Sequence, residues 1–251
     1  MKIETINYEP PENVMRDRVV LVTGAGGGVG RAVSRALAQY GATVILFGRT
    51  KTKLETLNDE IVAAGAVSQP AILEADLEHL TWDDYLALAE TLENEYGRLD
   101  GLLHNASILG DRSPIEHFDP MTWHRVMHIN LSAPFLMTRA LLPLLKKAVD
   151  PSLVFTSSSV GRIGRAFWGA YAVSKFGTEG LMQVLADETS DADLRINCIN
   201  PGATKTPMRT AAYPGEDPMI PATPESLVSN YLYLLGPASH GISGRTFNAQ
   251  S

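Results

Sequence analysis

The sequence predicts an α/β fold: one doubly wound domain built on a seven-stranded parallel sheet with helices on both faces. Three observations carry this expectation. Strand-length apolar runs alternate with helical periodicities along all 251 residues, the pattern of β-α-β units laid side by side. The runs themselves are continuous rather than alternating, as strands covered on both faces require. The first unit contains a glycine-rich turn, Thr23-Gly24-Ala25-Gly26-Gly27-Gly28-Val29-Gly30. The length suffices for one well-buried core, and no repeat or linker divides the chain.

The elements follow in order. A polar lead, Met1 to Arg16, reads as an extension, and residues 17–251 as the domain. Arg18 to Val22 is a buried strand. Beyond the glycine turn, Val29, Val33, Ala36, Leu37 and Tyr40 form one helical stripe that Gly41 stops. Ala42 to Phe47 is a second strand, followed by a helix over 51–64 and a strand over 71–74. Thr81 is placed to cap a helix running to Tyr96. Leu99 to His104 is a fourth strand. A long helix is expected over 122–147, with a kink near Pro134 or Pro143. Leu153 to Thr156 is a strand, 170–188 a helix, and Leu194 to Ile199 a strand. Residues 207–221 are rich in Pro and Met without periodicity, as lids often are. A helix over 224–235 and a strand over 244–247 complete the seven-stranded set.

Composition narrows the function. The net charge of −7 disfavours nucleic acid or an anionic membrane as the main partner. The single cysteine, Cys198, excludes an internal disulfide framework and lies in an apolar run, which suits an inert buried thiol. No apolar run is long enough for a transmembrane helix, and the lead lacks the apolar centre of a signal peptide, so a cytoplasmic protein is expected. His124 and His128 stand one helical turn apart without a carboxylate motif, so no metal site is expected.

The chemistry concentrates between Gly164 and Gly180. Tyr171 and Lys175 are four residues apart in a helical run, which places both side chains on one face. A phenol has a pKa near ~10, and a fixed ammonium beside it favours the phenolate, turning it into an acid/base near neutral pH. Ser158 ends a strand-like run, where open parallel sheets meet their ligands. The glycine turn lies between a strand and a helix, the setting in which backbone N–H groups cradle a pyrophosphate. Val29 takes the third glycine position of the usual fingerprint, so the spacing here is Thr23-Gly24-x3-Gly28-x-Gly30. After the second strand a Rossmann site for NAD carries an acid. This chain has Gly48 and Arg49, which favours a 2′-phosphate and hence NADP(H), with NAD(H) as the alternative. A solvated basic turn is the plain competing explanation. Asp76, before Leu77, is a candidate for the adenine edge.

With these residues in place, the chain resembles the short-chain dehydrogenase/reductases over 17–248. The resemblance rests on the glycine motif, the Asn105-Ala106 turn, Asn130, Ser158, Tyr171-x3-Lys175 and Pro201-Gly202-x3-Thr206. The runs Leu99 to Leu109, Val154 to Arg162 and Gly169 to Asp187 resemble most closely the YciK-like bacterial oxidoreductases. The resemblance implies an NADP-preferring enzyme that interconverts a small-molecule carbonyl and alcohol. Tyr171 would be the general acid/base and Ser158 would polarise the substrate oxygen. Lys175 would hold the nicotinamide ribose and lower the Tyr171 pKa, and Asn130 would order a water behind it. Cofactor contacts would run through Thr23, Gly24, Gly28, Val29 and Gly30 at the pyrophosphate. Arg49, Asp76, Leu77, Asn105 and Ala106 would serve the adenosine side. Pro201, Gly202, Thr204 and Thr206 would serve the nicotinamide, with Tyr171 and Lys175. A homodimer or homotetramer through the two long helices is implied as well.

Two departures stand out. Ser107 replaces a glycine of the family's Asn-Asn-Ala-Gly turn, which puts the backbone there in question. Gly26 and Gly27 leave the pyrophosphate loop bare of Arg or Lys. Substrate choice is expected in the loops 107–114 and 160–168 and in the lid 207–221. Arg112, Arg162 and Arg165 near the mouth hint at an anionic or acyl-carrier substrate, with ordinary surface arginines as the alternative. Phe167, Trp168, Met208 and Met219 offer an apolar wall or simply pack. A catalytically silent cofactor-binding regulator or scaffold is the competing class, and turnover on a panel of carbonyl compounds separates the two.

Overall fold

The computed structural model describes residues 3–190 and 193–250; the outermost ends of the expected extension and domain, Met1, Lys2 and Ser251, lie outside them. Its strands, in chain order, are β1 (Ile3–Thr5), β2 (Val19–Thr23), β3 (Thr43–Gly48), β4 (Ala71–Glu74), β5 (Gly101–His104), β6 (Ser152–Thr156), β7 (Arg195–Asn200) and β8 (Thr246–Asn248). All pair in parallel in the order β1-β8-β7-β6-β5-β2-β3-β4. The helices are α1 (Gly28–Gln39), α2 (Lys51–Ala63), α3 (Trp82–Tyr96), α4 (Pro120–Met127), α5 (Ala133–Leu145), α6 (Gly169–Glu188), α7 (Pro207–Ala212) and α8 (Val228–Leu235).

The doubly wound expectation holds, and the continuous apolar runs explain how. In β2, Val20 and Val22 pack with Val33 and Leu37 of α1, Leu54 and Leu57 of α2, and Leu232 and Leu235 of α8. The intervening Val19 and Leu21 pack with Tyr85 of α3, Leu141 of α5 and Met182 of α6. Every β2 residue is buried because both faces are covered. Strand order reverses between β2 and β5, so the connections leave a crevice at their carboxyl ends, where ligands of such sheets bind.

The structure departs from the expectation in three places. The sheet has eight strands among the described residues rather than seven: Ile3–Thr5, within the polar lead, pairs with β8 at the sheet edge. Three residues with a charged centre carry no readable strand period. The long helix expected over 122–147 is three pieces, α4, a π-helical turn over His128–Ser132, and α5. Pro134 has no N–H for the Asn130 carbonyl, which instead accepts from Thr178 Oγ1 at 3.4 Å. The segment 207–221 is not structureless, since Thr206 caps α7 by accepting from the Arg209 N–H at 3.2 Å. Its base is closed where Thr204 pairs with Ala222. Thr81 forms the expected cap, reciprocated by Asp84.

Candidate active site

The crevice at the sheet's carboxyl edge holds a cavity of about 330 Å³. One end of it is built by the glycine turn. Gly24 has φ +70°, and a Cβ there would lie 3.0 Å from the Ala106 Cα. At Gly30 a Cβ would lie 2.3 Å from the Gly24 carbonyl oxygen and 2.6 Å from Asn105 Nδ2, so no side chain fits. Thr23 staples the turn to β5: its Oγ1 accepts from the Asn105 and Ala106 N–H groups at 3.0 and 3.1 Å. Asn105 Nδ2 returns a bond to the Thr23 carbonyl at 3.3 Å. Gly27 precedes α1 in an extended conformation without any side-chain cap, and the helix's first turn carries no acid. Its N-terminal N–H groups are left for an anion.

A second cavity of about 160 Å³ adjoins the first; Gly24, Ala106 and Ser107 line both. Arg49, Asp76 and Leu77 line its outer part. Asp76 Oδ1 accepts from the Glu78 N–H at 3.1 Å, while the exposed Arg49 has no partner among the described residues. Ser107 is not among the residues with positive φ, so the turn does not demand the glycine that it lacks.

The catalytic candidates meet at the first cavity. Ser158 follows β6 in an extended conformation and, with Tyr171, lines the first cavity. Tyr171 stands in the first turn of α6, and the Ser158 hydroxyl is near enough to pull its phenol pKa down. Lys175 is buried one turn later and donates from Nζ to the Thr156 carbonyl at 2.8 Å, 5.6 Å from the centre of the Tyr171 ring. Asn130 sits behind, accepting from the Ile108 N–H at 2.9 Å and donating to the Ile108 carbonyl at 2.9 Å and to Ser174 Oγ at 3.1 Å.

One expectation is reversed here. Burial pushes the Tyr171 phenol up to about 12, against the pull of the nearby Ser158 hydroxyl. Burial also lowers Lys175 to about 8. Its ammonium is spent on a carbonyl rather than on the phenol, so the protein alone keeps Tyr171 protonated at neutral pH. The lowering of the phenol expected from the four-residue spacing is outweighed here by burial.

Pro201, Gly202, Thr204 and Thr206 line the first cavity, as do Gly28 and Val29. Gln250 Nε2 fixes that loop by donating to the Pro201 and Ala203 carbonyls at 2.6 and 3.0 Å. Leu109, Trp168, Met208, Ala212 and Tyr213 line the same cavity too. Phe167 and Met219 project to solvent instead. Of the three arginines expected at the mouth, Arg112 lies 4.6 Å over Trp168 and 5.2 Å over Tyr213, and it donates to the Ala212 carbonyl. Arg162 is not at the mouth: its Nε donates to the buried Glu179 at 2.9 Å. Arg165 is exposed. Sequence reading missed Leu109, Tyr213 and Glu179, and only Glu179, charged amid the apolar face of α6, left a signal.

The residues present fit a dinucleotide. A Cβ at Gly27 would meet nothing within 4 Å, so the cradle is open where a diphosphate would lie against the α1 N-terminus. Among the described residues no group of three or more His, Cys, Asp or Glu side chains is arranged to hold a metal. No helix among the described residues is long and apolar enough to cross a membrane.

Known proteins resemble this chain in sequence and fold. The family pattern of the short chain dehydrogenases matches residues 18–217. The oxidoreductase YciK of Escherichia coli K12 is 49% identical, the match covering 98% of this chain and 96% of that one. A solved structure from Pseudomonas syringae, assigned to the short chain dehydrogenases, superimposes with a TM-score of 0.96 at 53% identity, covering 98% and 100% of the two chains. Another from Shigella flexneri, complexed with NADP, does so with a TM-score of 0.93 at 50% identity, covering 96% and 100%.

Proposed function

The chain belongs to the short-chain dehydrogenase family, and on that premise we propose that it is an NADP(H)-dependent oxidoreductase interconverting a small-molecule carbonyl and alcohol. The observation that carries this reading is the opening of the Ser158–Tyr171 pair into the same cavity as the bare glycine turn. The bound nicotinamide supplies or accepts the hydride.

The remaining chemistry belongs to the chain. The Ser158 hydroxyl orients the substrate oxygen. The Tyr171 phenol, kept protonated by burial, donates its proton to that oxygen, which suits the direction of carbonyl reduction at neutral pH. Lys175 stands behind to resupply the proton and to meet the ribose, and Asn130, bonded to Ser174, orders solvent beside it. Arg49 answers a 2′-phosphate, a reading that the NADP complex of the Shigella flexneri relative supports. Thr204 and Thr206 hold the nicotinamide amide.

The segment 207–221 acts as the substrate lid, and the cleft beneath it favours an apolar carbonyl compound. Leu109, Trp168, Met208 and Tyr213 form its wall, while Arg112 is spent on ring faces and Arg209 on Glu216, at 2.5 Å. Self-association as a homodimer or homotetramer would cover the half-exposed Phe135 of α5 with Val173, Phe176 and Val184 of α6. The test is oxidation of NADPH and NADH against a panel of cyclic ketones, aldehydes and 3-oxoacyl thioesters. Turnover of apolar ketones with NADPH supports the reading. Tight NADPH binding with no turnover on any compound refutes it and returns the silent regulator.

A further inference from the structure

Glu179 is only 3% exposed, on α6 one turn beyond Lys175 and two beyond Tyr171. A carboxylate in such a place costs several kcal/mol unless it is paired and hydrogen-bonded. Ser157 Oγ donates to its Oε1 at 2.6 Å and Arg162 Nε donates to the same atom at 2.9 Å. The guanidinium continues outward, donating from Nη1 to Asn248 Oδ1 at 2.9 Å. Asn248 Oδ1 also accepts from Asn200 Nδ2 at 3.1 Å. One carboxylate therefore gathers the carboxyl ends of β6, β7 and β8 onto the helix that carries Tyr171 and Lys175. Ser157 is one peptide before Ser158, and its own N–H is held by the Ile199 carbonyl at 2.7 Å. Backbone and side chain of Ser157 are thus both fixed, and Ser158 is left one residue of freedom from which to reach the phenol.

We propose that Glu179 and Arg162 are positioning residues: through Ser157 they lock the serine turn to α6 and set the Ser158–Tyr171 distance. The inference rests on the acid/base reading of those two groups, and its test separates the two. The Arg162→Met/Glu179→Leu double variant replaces a buried ion pair by apolar side chains of similar length, an exchange that is often neutral or stabilising. A merely structural pair predicts full activity once stability is kept. A positioning pair predicts an unchanged melting temperature and NADPH affinity, with kcat lowered about tenfold or more. It further predicts a Ser158 hydroxyl displaced from the Tyr171 phenol in the variant's crystal structure. Ser157→Ala cuts the link while leaving the ion pair whole, and it is expected to lower kcat likewise; it serves if the double variant does not fold. Wild-type kcat in a stably folded variant, or an unmoved Ser158, overturns the proposal. A wild-type protein without turnover refutes the acid/base reading instead, while the Ser158–Tyr171 spacing in the crystal still decides the positioning role.

Discussion

Lys175 offers a quantitative test of how the site is built, because its ammonium is stored inside the protein. Burial lowers it from 10.5 to about 8, while in the unfolded chain it titrates at its ordinary value. Below pH 8 both states carry the proton and the folded state bears the whole cost of burying it. Between pH 8 and 10.5 the unfolded chain binds a proton that the folded chain has released, so stability rises with pH across that window. At ~1.4 kcal/mol per unit, the gain reaches about 2 kcal/mol by pH 9.5 and about 3 kcal/mol at its limit. Cys198, held well above its ordinary value by burial, and Tyr171, at about 12, oppose the rise, since both stay protonated when folded. The difference between the wild type and Lys175→Met largely removes their contribution. Urea unfolding at intervals from pH 7 to 9.5 measures it. The wild type should gain about 2 kcal/mol relative to the variant. Parallel curves would refute the claim that the ammonium is desolvated, and with it the reading of Lys175 as a held proton reserve.

Three further outcomes follow from the cofactor cradle. Arg49→Ala should weaken NADPH relative to NADH by about 1–3 kcal/mol, read by fluorescence titration, since only the 2′-phosphate loses its charged partner. Gly30→Ala should destabilise the fold by about 1–3 kcal/mol in thermal melts, because its Cβ would lie 2.3 Å from the Gly24 carbonyl. Gly27→Ala has open space at the same atom and should leave the melting temperature within about 1 °C of wild type while weakening NADPH, which would meet the new methyl group.

The parts of the site that were legible in the sequence are those whose geometry is local. Tyr171 and Lys175 share a helix face at a fixed spacing, and the glycine turn announces itself between a strand and a helix. Ser158 was placed by the end of its strand. What was not legible depends on the far side of the fold. Arg162 and Glu179 are 17 residues apart, and only the packing of the 159–161 turn against α6 brings them together; from sequence alone Arg162 looked like a mouth residue. Arg112 reached the segment 207–221 because Trp168 and Tyr213, remote in the chain, close over it. The Tyr171 pKa was misjudged for a related reason. The spacing gives the distance between phenol and ammonium, but it does not say that Thr156 claims the ammonium or that burial outweighs it. Strand β1 escaped notice because three residues carry too little period to be read.

The account stands on Tyr171 as the group that moves the proton. Steady-state turnover of Tyr171→Phe with NADPH and a ketone accepted by the wild type tests this most directly, with NADPH affinity measured alongside. The phenol hydroxyl alone is removed and the ring packed beside Trp168 is kept, 5.8 Å between centres. Loss of more than about 99% of kcat with NADPH affinity unchanged is the predicted result. A variant retaining more than about a tenth of the rate would contradict it, and the proton would have to come from elsewhere.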